Sequence, residues 1–355
     1  MKKILLASAS IVAFAGAAAA EVSFSGSAVL GYNDTEITPD TAADDDVGFY
    51  SELNLDVAMS ATLDNGITVS AAADVDELDA TEGSNAAGVT LTISSANASL
   101  VYGDTTFAAE DYFAAVGSMD ADADVAEQDG ELVLKATGTF GNVNAAVSYE
   151  LQDAAGATEN SGNLSFGASA DLGEVTASVA FQSGEANTLT TAAQSEILGV
   201  KVATSMGGAD LALGYVDDRT ADLQSTGISV TYPVGAVTVA ASYVMEDNAA
   251  GTADDNWDIK ISYAEGAMTA SVKTDEADDW AVEGTYDMGN GLTVAAGVAD
   301  AGDDFYVGGS YDLGGGAALL VSYADDSDGD EVAADNDIGA AGYAVGTTVE
   351  LSFAF

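Results

Sequence analysis

Carboxylates dominate the side chains of this sequence that could do chemistry. There are 59 Asp and Glu residues against 7 Lys and Arg, and neither His nor Cys occurs. A His-based triad, a thiol nucleophile and a His-ligated zinc are therefore unavailable. Carboxylate pairs are so abundant that no single pair marks an acid–base site. The Gly-rich stretches join alternating segments and open no helix, so no nucleotide-binding loop is indicated. The chain reads as a non-enzyme. Its net charge of −52 repels nucleic acid and attracts cations. The sharpest cation candidates are two Asp-rich runs, Asp44-Asp45-Asp46 and Asp325 to Asp330. In the second, Asp326, Asp328 and Asp330 are candidates for a weak site for calcium, which takes about six to eight oxygens. The spacing departs from the EF-hand pattern, and diffuse condensation of divalent ions on an acidic surface is the plainer reading. No other cofactor is implied.

Something must hold these charges in place, and the composition limits what. An acidic disordered chain is poor in apolar residues, whereas 48% of this one is hydrophobic. Residues 1–20 combine Lys2-Lys3, the apolar stretch Ile4 to Ala15 and small residues at Ala18 and Ala20. That pattern predicts a cleaved secretory signal and a mature chain from Glu21. Beyond it no run of about eighteen apolar residues could cross a membrane as a helix. The absence of Cys suits an exported chain that uses no disulfides.

The mature sequence repeats one unit: an alternating segment, a tight Gly- or Asn-rich turn, and a second alternating segment. Ala170-Asp-Leu-Gly-Glu-Val-Thr-Ala-Ser-Val-Ala-Phe181 is one copy, and Met288-Gly-Asn-Gly-Leu292 and Leu63-Asp-Asn-Gly-Ile67 mark others. Longer Asp-rich connections, such as Asn33 to Asp46 and Asp247 to Asn256, alternate with the tight turns. Pro39 and Pro233 are placed in loops or turns. Period-2 alternation then sorts faces. Phe49, Leu53, Leu55, Val57, Met59 and Leu63 share one face, and Glu52, Asn54 and Asp56 the other. Trp257, Ile259, Ile261 and Tyr263 likewise oppose Asp258 and Lys260. With Ala and Gly too abundant for a dense core, the greasy face is assigned to lipid and the charged face to a wet lumen. Tyr149, Phe181, Tyr243, Tyr311 and Tyr323 fall near strand ends, as in an interfacial girdle.

At the C-terminus Val349, Leu351, Phe353 and Phe355 share a face, and the last strand is predicted to pair with Val22 to Tyr32 and close the ring. Phe353 and Phe355 are its closure residues. The fold expected is all-β, a large antiparallel transmembrane β-barrel over residues 21–355 with an even number of strands. The segment count reaches about twenty.

Several of these stretches look familiar. Glu21-Val-Ser-Phe-Ser-Gly26, Tyr102-Gly-Asp104, Ser310-Tyr-Asp-Leu-Gly-Gly-Gly-Ala317 and Leu351-Ser-Phe-Ala-Phe355 resemble the general porins of alphaproteobacteria. The resemblance implies an outer-membrane homotrimer of sixteen-stranded barrels that passes small hydrophilic solutes. It also implies that a third long loop folds into the lumen, here residues 104–130. That loop carries Glu110, Asp111, Asp120, Asp122, Asp124, Glu127 and Asp129. Porins of this kind face the acidic loop with a basic wall, for which parity offers Lys135, Lys260 and Lys273. A ring of carboxylates at a constriction favours cations, so a cation-preferring pore is expected, with surface lipopolysaccharide bridged by divalent ions as a further partner. The alternatives are a solvated outer loop, ordinary solvated wall lysines, and a plugged structural barrel. A different class altogether is a secreted acidic calcium-binding adhesin or surface-layer protein folded as a β-solenoid. Its Gly-Asp nonapeptides at constant period are missing.

Overall fold

The computed structural model describes residues 21–34, 48–75, 89–122, 132–152, 162–183, 196–248, 251, 255–277, 279–299, 304–325 and 343–355. Among the described residues twenty strands run β1 (Glu21–Asn33), β2 (Phe49–Thr62), β3 (Thr68–Val75), β4 (Thr90–Ser94), β5 (Ala98–Gly103), β6 (Leu132–Phe140), β7 (Val143–Gln152), β8 (Leu164–Asp171), β9 (Val175–Ser183) and β10 (Glu196–Met206). They continue as β11 (Ala209–Asp218), β12 (Leu223–Val234), β13 (Val237–Asn248), β14 (Asn256–Glu265), β15 (Met268–Asp275), β16 (Trp280–Gly289), β17 (Leu292–Ala299), β18 (Asp304–Gly314), β19 (Ala317–Asp325) and β20 (Gly346–Ala354). Each strand pairs antiparallel with its sequence neighbours, and β1 also pairs with β20, so the sheet closes on itself. A closed antiparallel ring removes both edges, and it is not a solenoid. The strand number is the one counted segment by segment, and it is even.

Turn chemistry fixes the hairpins. At Asn290 and Gly291 φ is +55° and +85°, the left-handed pair whose twist matches two antiparallel strands. All the tight turns lie at one end, together with Glu21 and Phe355. The other end carries the longer connections, although three of the connections there, 219–222, 276–279 and 300–303, are only four residues long. Pro233 is not in a turn. It is the penultimate residue of β12, opposite Thr238 and one step before the chain reverses. A strand end next to a turn tolerates the missing donor.

Register assigns every side chain to one of two faces. On one face Leu213 is 53%, Ile228 54% and Met59 46% exposed, values that no soluble core would leave. Aromatics on this face form two belts, one at each end of the strands. Tyr32, Phe49, Tyr102, Tyr149, Phe181, Tyr215, Tyr243, Trp257, Trp280, Phe305 and Tyr323 stand toward the long connections. Phe24, Phe140, Tyr232, Tyr263, Tyr286, Tyr311 and Phe353 stand toward the tight turns.

The polar face is the concave one. On a concave wall side chains converge, so strands two apart can touch across the strand between them. Tyr50 of β2 donates to Glu350 of β20 at 2.9 Å, across Gly31 of β1. Tyr306 of β18 donates to Glu283 of β16 at 3.3 Å, across Gly297 of β17. On the apolar face the ring pairs Tyr32–Phe49 and Phe305–Tyr323 join adjacent strands only. Polar side chains therefore line the lumen and apolar ones face outward, as period-2 alternation predicts.

Candidate functional site

The connection leaving β5 does not run outward. Residues 104–122 lie along the lumen wall from β6 to β14, and they contain many of the buried apolar side chains described. Phe107 is 1%, Val116 2% and Met119 4% exposed. A single coiled turn starts the segment, with Phe113 donating its backbone N–H to Ala109 at 3.0 Å. Phe113, Val116 and Met119 then follow at three-residue intervals and pack with Ala180 of β9, Ile197 of β10, Val216 of β11 and Val244 of β13. Each large apolar side chain so covered contributes about 1.5–3 kcal/mol, which offsets part of the entropy lost on ordering the strap.

Backbone donors of the strap are satisfied by the wall, as buried amides must be. Ala108 N–H donates to Ser148 Oγ at 2.9 Å, and Ala109 N–H to Ser165 Oγ at 2.7 Å. Farther along, Ala121 N–H donates to Ser225 Oγ at 3.1 Å and Asp120 N–H to Glu246 Oε1 at 3.1 Å. Ser225 Oγ in turn donates to Glu246 Oε2 at 2.5 Å. Asn256 Nδ2 donates to the Ser118 carbonyl at 2.8 Å and reaches Asp120 Oδ1 at 3.2 Å.

The lysines form a tier. Lys135, Lys201, Lys260 and Lys273 all face the lumen, and each stands six residues from a tight-turn residue, Gly141, Gly207, Gly266 and Ala267 respectively. Equal counts from one rim put them at one level. Lys135 is buried and donates to Thr106 Oγ1 at 2.6 Å and to Asp111 Oδ2 at 2.9 Å. Lys201 donates to the Ala114 carbonyl at 3.1 Å. Lys260 lies 3.8 Å from Glu283 Oε1, which also accepts from Ser271 Oγ at 2.7 Å. Lys273 is the register partner of Lys260 and has no carboxylate partner among the described residues.

Of the loop carboxylates named from the sequence, Glu110 and Asp111 sit in the strap beside a cleft shared with Tyr112, Asn144, Ser169, Ser178 and Lys201. Asp120 and Asp122 belong to a short 3-10 turn, Asp120–Asp122, with Asp120 exposed. Asp124, Glu127 and Asp129 lie outside the described residues, as do Asp326, Asp328 and Asp330 and the segment 1–20. Among the described residues no group of three or more acidic side chains is arranged to hold a metal. Phe353 pairs with Ala28 of β1 and Ala317 of β19. Phe355 and Gly26 exchange backbone bonds of 2.9 and 3.0 Å, so both phenylalanines sit at the closing seam. Above the far end of that seam Thr347 N–H donates to Asp34 Oδ1 at 2.6 Å, and this bond lowers the carboxyl's pKa.

Sequence reasoning missed Lys201, Ser148, Ser165, Ser225 and Glu246. Lys201 was findable by parity, since it alternates with Val200 and Val202. The serines carry no signal, because small hydroxyls recur on every lumen face.

Comparison with known proteins bears on the whole assembly. The profile of a family described as Gram-negative porin matches residues 7–331. Engineered variants of the Rhodopseudomonas blastica porin resemble the structure. One is 14% identical over 94% of this chain and 100% of its own, with a TM-score of 0.49. A second is 15% identical at the same coverage and TM-score. Among curated proteins none matches.

Proposed function

This chain belongs to the Gram-negative porin family, so its barrel is an outer-membrane channel rather than an enzyme, and we propose that it is a general-diffusion pore that prefers cations. Solutes are excluded by size where residues 104–122 narrow the bore and are selected by charge along the wall. The observation that carries this reading is the disposition of the lysines. Lys135 and Lys201 are engaged by the strap and Lys260 by Glu283. The rest of the lumen face keeps Glu52, Asp56, Asp258, Asp287, Asp304 and Glu350. Fixed negative charge around a narrow water column stabilises cations and repels anions.

The mature pore starts at Glu21 after export, and it assembles as a homotrimer. Trimerisation is supported by β4 and β5, which have five and six residues. Tilted strands of that length rise roughly 15 Å, short of the apolar band of about 25 Å that a barrel presents to lipid. A neighbouring copy would cover that low wall. Divalent cations, calcium included, condense on the Asp-rich outer connections and bridge them to lipopolysaccharide phosphates.

Liposome swelling with uncharged sugars of graded size tests the pore itself. The expected result is a rate that falls smoothly with solute size and does not saturate with concentration. Liposomes that fail to swell in the smallest sugar would contradict it.

A further inference from the structure

Four lumen-facing glycines lie directly beneath the strap: Gly167 of β8, Gly199 of β10, Gly214 of β11 and Gly227 of β12. None of them has a left-handed backbone, so conformation does not require glycine there. Space does. A methyl at Gly199 would stand 2.7 Å from the Phe113 ring, and one at Gly214 would stand 2.8 Å from Val116 Cγ2 and 2.9 Å from Met119 Cε. At Gly167 and Gly227 the obstruction is backbone, the carbonyl oxygens of Ala108 and Val116, which no rotamer change relieves. The strap therefore rests against bare main chain at four places along its length, and its serine and glutamate bonds are made at that depth.

We infer that these glycines form a seat that sets the size limit of the channel, by letting residues 108–119 lie flat on the wall instead of standing off into the bore. The inference rests on the reading of this segment as the constriction. A side chain at any of the four lifts the strap toward the lumen axis, and a modest loss of radius rejects large solutes more than small ones. The glycines thus act as positioning residues for size selection, although no solute touches them.

The test uses the full chain in liposomes, comparing Gly167→Ala and Gly227→Ala with the wild type. Gly309→Ala serves as the control, because a methyl there meets nothing closer than 3.9 Å. Heat-modifiable gel migration verifies that each barrel has formed. The readout is the swelling rate in a disaccharide divided by that in a pentose. For the two seat variants this ratio is expected to fall at least about threefold, since hindrance grows steeply as solute and pore radii converge, while Gly309→Ala keeps the wild-type ratio. An unchanged or higher ratio in both seat variants would overturn the inference. Gly199→Ala and Gly214→Ala meet side-chain atoms only and provide milder versions should the first two fail to fold. Failure of all four to fold, with the control intact, would overturn it in favour of a purely structural role. A wild-type protein that passes no sugar would instead remove the porin reading on which the inference stands.

Discussion

Lys135 shows how one side chain can be both a wall charge and a fastener. Its ammonium bonds Thr106 and Asp111 from a position almost closed to solvent. Replacing it with Met leaves a partly buried carboxylate without its cation, a local loss of about 1–3 kcal/mol by the usual cost of an unmet polar partner. The barrel is held by other bonds, so the strap should loosen while the fold survives. Single-channel records of Lys135→Met are expected to show more open-state noise than wild type. Lys273→Met, which frees nothing in the strap, should leave the noise unchanged and move selectivity further toward cations. Alternation alone placed both lysines inside the barrel. That of the two only Lys135 is fastened to the strap was not legible, because Asp111 meets it only after a loop remote in sequence has folded back.

Among the elements, the closing strand and the two faces carry the fold. Deleting residues 346–355 would strip β1 and β19 of their ladder partners and leave two open edges in lipid, where unmet backbone groups cannot be tolerated. Such a chain is expected to lose heat-modifiable migration entirely. Facing is testable by paired substitutions at one level. Leu213→Arg on the lipid side should cost about 2–4 kcal/mol of barrel stability in urea titrations, and Ser229→Arg on the lumen side should leave stability near wild type but reduce cation current. Parity and facing were readable here, since turn residues punctuate the chain and alternation is strict, and the segment count of about twenty lay nearer the twenty strands described than the sixteen implied by the resemblance. Pro233 was misplaced because a proline beside a turn and a proline within one look alike in sequence. The seat glycines were invisible because alternation puts them on the lumen face but does not tell a glycine under a remote loop from one under a neighbouring side chain, such as Gly297 beneath Tyr306.

For the whole molecule, the decisive quantity is charge. The chain carries −52 overall, its lysines are gathered into one tier on the strap's side of the lumen, and the remaining wall is acidic. On the proposed reading a permeating cation meets fixed carboxylates, while three of the four tier lysines are engaged and Lys273 has no carboxylate partner among the described residues. Salt screens such fields over a Debye length of about 10 Å at 0.1 M, so selectivity should weaken as ionic strength rises, whereas the size limit should not change. The reversal potential of the reconstituted protein across a planar bilayer, with a potassium chloride gradient at low salt, tests this most directly. The expected value lies on the potassium side of zero and moves toward zero as total salt increases. A value at zero in dilute salt, or on the chloride side, would contradict a lumen governed by its carboxylates.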